Sequence, residues 1–254
     1  MPKKYKIIII LAFTMICLQA EVKIPNSSTD HMVQIVIGTG SDGVYTAQFN
    51  NQKGSFSKAS RLFSKPGTTL VRSSAKSRLY TAGNTKDGGI IKSFIKNKLT
   101  GEIRNLPKEP CYLSLDKTLS FAFTANIRGK SISSFSLKKD GSLDKLIQNL
   151  EIKTPKKGFA PHSIIPSPDN KYLFVADIGG RRICRVKFNE SDGSMSYDGD
   201  IYSNNFNGPR HMVFGVEGKF LYLLNQMGGA VTVFKYVSKN GNLEEIQQDR
   251  KSVV

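Results

Sequence analysis

A short turn motif returns along the chain: Lys53-Gly54-Ser55, Thr100-Gly101, Asp140-Gly141-Ser142, Asp192-Gly193-Ser194 and Asn240-Gly241-Asn242. Its glycines lie 47, 40, 52 and 48 residues apart. A chain with that period must stack copies of one small supersecondary unit, because a single copy cannot bury its apolar face alone. Each unit also carries an apolar run ending in Asn or Asp, at residues 79–84 (LYTAGN), 121–126 (FAFTAN), 173–177 (LFVAD) and 221–225 (LYLLN). A glycine-bearing loop follows each run: Gly88-Gly89, Gly129, Gly179-Gly180 and Gly228-Gly229. Then comes a second run rich in β-branched and aromatic residues, as at 183–188 (ICRVKF) and 231–236 (VTVFKY). Asn-Gly and Asp-Gly between such runs are hairpin signals, with positive φ expected at both central residues.

No segment keeps a helical period for more than three turns, so the units are read as strands alone. Repeats of 40–50 residues made of short strands point to an all-β fold, a β-propeller of four-stranded blades around a channel. About five blades fit between residues 33 and 248. The chain has no Trp, which argues against the WD40 class. Three His, three Cys and no Cys-x-x-Cys pair leave no framework for a structural metal, and no metal or cofactor is expected. The recurrent Asn84, Asn126, Asp177 and Asn225 have a plain explanation in loop chemistry, each accepting a bond from its own backbone two residues on. The same positions can face the channel mouth, which makes Asp177 and Asn225 candidate substrate-binding residues.

The N-terminus has the grammar of export. Lys3, Lys4 and Lys6 precede the apolar run Ile7–Leu18, and Gln19-Ala20 closes it. Residues 1–20 are expected to be a secretory signal peptide and 21–32 a linker, with a secreted or periplasmic destination; an uncleaved anchor is the alternative. The net charge is +17, and residues 1–20 carry three lysines and no acid, so +14 remains after cleavage. The lysines are scattered, never more than paired, and no aromatic–basic stacking motif accompanies them. The charge is read as a solvated surface, with no nucleic-acid partner and no membrane contact beyond the signal peptide. Cys111 and Cys184 lie in apolar strand-like runs and are expected to be buried thiols rather than a bridge.

Two segments resemble the lactonase propeller family, which includes propeller-type 6-phosphogluconolactonases and the fungal carboxymuconate cyclase. Pro161-His162-Ser163 with residues 168–183 (PDNKYLFVADIGGRRI) resembles its fourth blade, and Gly208-Pro209-Arg210-His211 with residues 218–227 (GKFLYLLNQM) its fifth. Residues 35–39 (IVIGT) resemble its opening strand and residues 109–115 (EPCYLSL) the start of its third blade. The likeness implies a seven-bladed propeller whose site lies where the fourth and fifth blades face the channel. It matches the family's catalytic histidine to His162 and its anion-binding arginine to Arg210. The family's carboxylate position holds Gln226, and its usual third-blade histidine is Tyr112. From the residues alone, His162 reads first as a packed strand histidine, and Arg210 can serve as a brace between blades through backbone carbonyls. His211 is expected on the opposite side of its strand from Arg210, and it completes the candidate substrate-binding set.

The chemistry explains the residue types. Opening a lactone needs a deprotonated water and a donor for the developing oxyanion. A neutral His takes a proton, Arg grips a phosphate or carboxylate, and Gln orients water without accepting a proton at neutral pH. The resemblance therefore implies a hydrolase acting on a small anionic sugar or aldonic lactone, a monomer when full length. A non-catalytic exported propeller binding a ligand or a protein is the second reading, and muconate cyclase chemistry the third. Five turn glycines against seven family blades imply a C-terminally truncated and inactive chain. Residues 249–254 (DRKSVV) break the repeat, read like a translated sequencing adapter, and are expected to be a non-biological tail.

Overall fold

The computed structural model describes residues 31–39, 43–63, 70–74, 78–153 and 158–250. The expected signal peptide, nearly all of the linker and residues 251–254 lie outside them. The described elements are all strands, and they pair into four-stranded antiparallel sheets in two compact units, residues 1–106 and 107–254. The fold is an all-β propeller with about five blades among the described residues.

In the first unit, β1 (Met32–Gly38) pairs with β2 (Val44–Asn50). β3 (Ser55–Phe56) and β4 (Ser60–Phe63) pair with opposite ends of β2, so together they act as one interrupted strand. Ser57 bridges the interruption: its N–H donates to the Gln48 carbonyl (2.8 Å) and its Oγ accepts from the Gln48 N–H (2.9 Å). The second sheet runs in chain order through β5 (Leu70–Ser74), β6 (Arg78–Thr85), β7 (Gly88–Ile95) and β8 (Lys98–Leu106).

The second unit holds three sheets, each again in chain order. The first is β9 (Pro110–Leu115), β10 (Phe121–Asn126), β11 (Ser131–Leu137) and β12 (Leu143–Leu150). The second is β13 (Pro161–Pro166), β14 (Tyr172–Asp177), β15 (Arg182–Phe188) and β16 (Met195–Ile201). The third is β17 (Pro209–Phe214), β18 (Phe220–Asn225), β19 (Ala230–Val237) and β20 (Asn242–Arg250). Asp249 and Arg250, assigned above to the tail, pair in register with Val231 and Ala230.

The turns correct the sequence reading twice. Thr100-Gly101 lies inside β8, and the hairpin before it is Lys96-Asn97, both at positive φ (48° and 64°) between the paired Ile95 and Lys98. That is the two-residue hairpin with two left-handed residues that Asn-Gly elsewhere led one to expect. At the later turns only the glycine is left-handed, as at Gly193 (φ 79°) and Gly241 (φ 68°). The preceding Asp or Asn folds the turn through its side chain. Asp140, Asp192 and Asn240 each accept a bond from the N–H two residues on, at 2.8, 2.8 and 3.1 Å.

Those glycines serve a second purpose. A Cβ on Gly193 would lie 2.5 Å from the Phe121 ring, and one on Gly241 2.5 Å from the Tyr172 ring. Each turn is pressed against the sheet before it, so the glycine period also marks sheet-to-sheet contact. Aromatic sets fill the same seams: Phe188 meets Phe121 and Phe123 edge-on at 5.5 and 5.0 Å, and Tyr236 meets Phe174 and Phe214 at 5.9 and 5.5 Å. β10 is buried along its whole length, whereas β18 alternates exposed and buried residues.

Candidate functional site

The first strands of the three sheets in the second unit start alike. Pro110, Pro161 and Pro209 stand opposite Asn126, Asp177 and Asn225. Proline is tolerated at a strand's first residue, where no ladder N–H is required of it. In each strand the register then slips by one at Cys111, His162 and Arg210, and resumes at Tyr112, Ser163 and His211. A bulge of this kind bends the strand and re-aims its extra side chain. Three aligned bulges on neighbouring strands thus present Cys111, His162 and Arg210 at equivalent places.

The strand-ending Asn and Asp residues hold this arrangement. The N–H of the next residue donates to the carbonyl before each proline: Ile127 to Glu109 (3.0 Å), Ile178 to Ala160 (3.1 Å) and Gln226 to Gly208 (2.8 Å). The side chains add a second tie in two sheets. Asp177 Oδ1 accepts from the N–H groups of Ala160 (2.9 Å) and Gly180 (3.0 Å), and Asn225 Oδ1 from the N–H of Asn207 (3.2 Å). Asn126 instead donates to Ser133 Oγ (2.9 Å) and accepts from Thr124 Oγ1 (3.0 Å). The expected bond to their own backbone two residues on is therefore replaced at Asp177 and Asn225 by bonds that fasten the approach to the bulge. Asp177 and Asn225 are fully buried, with their oxygens engaged within the protein.

His162 and His211 lie edge to face with ring centroids 5.3 Å apart, and Tyr112 packs against His211 at 5.7 Å. Alternation alone puts His211 across the strand from Arg210; the bulge between Pro209 and His211 breaks that alternation and sets His211 beside His162. Burial drives both imidazoles toward neutrality, and the Arg210 guanidinium reinforces it. His162 is pushed down to about 4 and His211 to about 3. The Nδ1 of His162 is buried without a hydrogen-bond partner, and so is the Nε of Arg210. An unsatisfied buried polar atom is uncommon, and here two of them stand at equivalent bulges of neighbouring sheets, with the Arg210 charge felt at His162. Gln226 is exposed at the end of β18, tied by its backbone beside the Arg210 strand.

Two residues of the cluster were not singled out as site residues from the sequence. Tyr112 was noted only as a departure from the family pattern, yet its ring closes the cluster. Cys111 occupies the third bulge, partly buried, with Sγ 3.4 Å from the Pro161 carbonyl. The signal available for both is the repeated proline opposite an Asn or Asp. Cys184 is a free thiol buried in β15. Among the described residues no group of three His, Cys, Asp or Glu is placed to hold a metal ion.

Comparison with known proteins agrees with the fold. Residues 32–251 match the family described as Lactonase, 7-bladed beta-propeller. A 6-phosphogluconolactonase of Bacillus subtilis is 25% identical over 221 residues, covering 82% of this chain and 62% of that protein. The chain thus spans less than two thirds of that relative's length. The crystal structure of a candidate 6-phosphogluconolactonase from Bacteroides fragilis superposes with a TM-score of 0.75 at 28% identity, covering 91% of this chain and 70% of that one. The periplasmic gluconolactonase of Pseudomonas aeruginosa, at 21% identity, shares the fold with a TM-score of 0.73 over 86% of this chain and 68% of its own. The chain belongs to the Lactonase family of seven-bladed β-propellers.

Proposed function

We propose that the cluster opens the ring of a small anionic sugar or aldonic lactone, with His162 as the base. The observation that carries this reading is the pair of buried, unpartnered atoms, His162 Nδ1 and Arg210 Nε. A neutral imidazole with a nitrogen that no protein group engages takes a proton from water, and the resulting hydroxide adds to the lactone carbonyl carbon. The carbonyl oxygen becomes an oxyanion and accepts a hydrogen bond from the Arg210 guanidinium, which also attracts a substrate carboxylate or phosphate. The ring C–O bond then breaks, and the alkoxide takes the proton from the imidazolium to give the hydroxy acid. Burial that holds His162 near 4 makes the imidazolium short-lived and favours that return.

His211 and Tyr112 supply ring surface beside His162, and the exposed Gln226, tied next to the Arg210 strand, supplies an amide to substrate or water. Asp177 and Asn225 act behind the site by holding the strands that carry His162 and Arg210. Export by residues 1–20 favours an unphosphorylated lactone outside the cytoplasm. The test is pH-stat hydrolysis of δ-gluconolactone and its 6-phosphate by the protein and by His162→Ala. Enzymatic turnover that falls about 10²-fold or more in the variant supports the mechanism. A rate indifferent to His162 removes it.

The amide at Gln226, where the family resemblance implies a carboxylate, favours a second reading in which the same cluster binds a sugar acid without turning it over. Calorimetric binding of gluconate with no lactone hydrolysis by the same preparation selects that reading.

A further inference from the structure

The strand-ending residues of the second unit differ in one respect. Across the strand pair, Asn126 faces Ser131 and Asn225 faces Ala230, but Asp177 faces Arg182. Arg182 is 2% exposed, and its Nε donates to Asp177 Oδ2 at 2.8 Å while its Nη1 donates to Asp200 Oδ2 at 2.8 Å. Asp200 also accepts from the Tyr202 hydroxyl at 3.0 Å. The other oxygen of Asp177 holds Ala160, two residues before His162. The loop is fitted to this triad: a Cβ on Gly180 would lie 2.3 Å from Asp177 Oδ2, and one on Gly179 2.4 Å from the Gly158 carbonyl.

Burying an ionic triad is a poor way to gain stability, because desolvation offsets much of the attraction. The neighbouring sheets end the same strand with uncharged Asn and reach the same topology, so the fold does not require the charges. The sheet that has them is the one carrying His162. We propose that Asp177, clamped by Arg182 and Asp200, is a positioning residue that fixes the segment leading into the bulge and so sets the aim of His162 beside His211 and Arg210. The kinetic half of this inference rests on the function proposed above; the spectroscopic half does not.

The test is Asp177→Asn. An amide has one acceptor oxygen, so it serves either Ala160 and Gly180 or Arg182, not both. Histidine NMR titration resolves His31, His162 and His211, and the groups facing His162 are Arg210, His211 and Cys111. Removing a negative charge by itself lowers a histidine pKa. A rise in the His162 value by about one unit toward the ordinary 6.5 therefore reports water entering a loosened site. Alongside it, kcat for lactone hydrolysis is expected to fall about 10²-fold with KM changed much less.

Asp198→Asn is the control, since Asp198 pairs with Arg185 (2.7 Å) and Lys187 (2.9 Å) in the same sheet without touching the approach to His162. It should lower the melting temperature and leave the His162 titration where it is. If Asp177→Asn behaves like Asp198→Asn, melting lower with an unmoved His162, the positioning role is overturned. Should Asp177→Asn not fold, Arg182→Lys decides: an ammonium keeps the charge but lacks the planar fork that reaches both acids. A folded Arg182→Lys with a raised His162 pKa supports the proposal, and one with an unchanged pKa overturns it. A wild-type protein that hydrolyses no lactone removes the enzymatic reading while the titration still decides the positioning.

Discussion

Mild acid should destabilise this protein well before its carboxylates titrate. In the folded state His162 is held at about 4 and His211 at about 3, against an ordinary 6.5 in the unfolded chain. Both folded values lie below the unfolded one, so the unfolded state binds more protons as pH falls. The stability these groups contribute is complete above 6.5, erodes from there downward, and stops changing once the folded state is also protonated, near 4 and 3. At pH 5 each unfolded imidazole is almost fully protonated and each folded one almost fully neutral, which amounts to about 2 kcal/mol per histidine and ~4 kcal/mol for the pair. Against a typical domain stability of about 5–15 kcal/mol, that is a large fraction.

Urea unfolding at pH 7, 6 and 5 reads this directly, with stability falling and the dependence on urea unchanged. The slope between pH 6 and 5 should correspond to an uptake of nearly two protons on unfolding. Carboxylates add little in this window. Those held low in the fold, such as Asp169 and Asp198, begin to lose their contribution only as pH falls toward their ordinary 3.8. His211→Phe, which keeps a ring against Tyr112 and His162, should halve the dependence. A wild-type protein that loses less than about 1 kcal/mol between pH 7 and 5, or a His211→Phe variant with the wild-type slope, would refute the claim that both imidazoles are buried neutral.

Three further outcomes follow from the geometry. Gly241→Ala forces a Cβ into the Tyr172 ring at a residue with φ 68°, and should lower stability by about 2 kcal/mol or more in thermal or urea melts. Asp116 is buried and accepts from the N–H groups of Thr118, Ser120 and Phe121 and from Asn170 Nδ2 of the next sheet; Asp116→Ala should cost about 3 kcal/mol, read by the same melts. Arg210→Lys keeps a positive charge near both histidines but loses the Nε donor. Their NMR titrations should stay low while kcat/KM for lactone hydrolysis drops about 10²-fold.

The fold was legible because its determinants are local and repeated. Four apolar runs such as residues 173–177 end at an Asn or Asp, and glycine turns return every 40 to 52 residues, so strands and their stacking follow from pattern alone. What the pattern could not supply was the partner of each polar group. Asp177 looked like a residue that would cap its own turn, and that chemistry occurs instead at Asp140, Asp192 and Asn240. Nothing within residues 173–177 says that the carboxylate will reach across to Ala160 or that Arg182 will be buried against it. Thr100-Gly101 failed for a related reason. Glycine marks a turn only by permitting positive φ, and Lys96 and Asn97 adopted it without a glycine.

The site was half legible for a reason that can be stated in one geometric step. Strand alternation assigns Arg210 and His211 to opposite faces, and likewise separates Cys111 from Tyr112. One extra residue inserted after Pro110, Pro161 and Pro209 shifts the phase of everything before it relative to everything after it. Residues that alternation separates then converge, and the ring cluster of His162, His211 and Tyr112 is the result. The clue lies in the sequence, though not in any single strand: each first strand opens with proline, and each second strand ends with an Asn or Asp opposite it. A proline that removes one ladder bond and an Asn or Asp tied into the neighbouring loop together define a place where pairing must slip. In a chain of this architecture, the residue immediately after that proline is the one to test first, and here that residue is His162 in one sheet and Arg210 in the next.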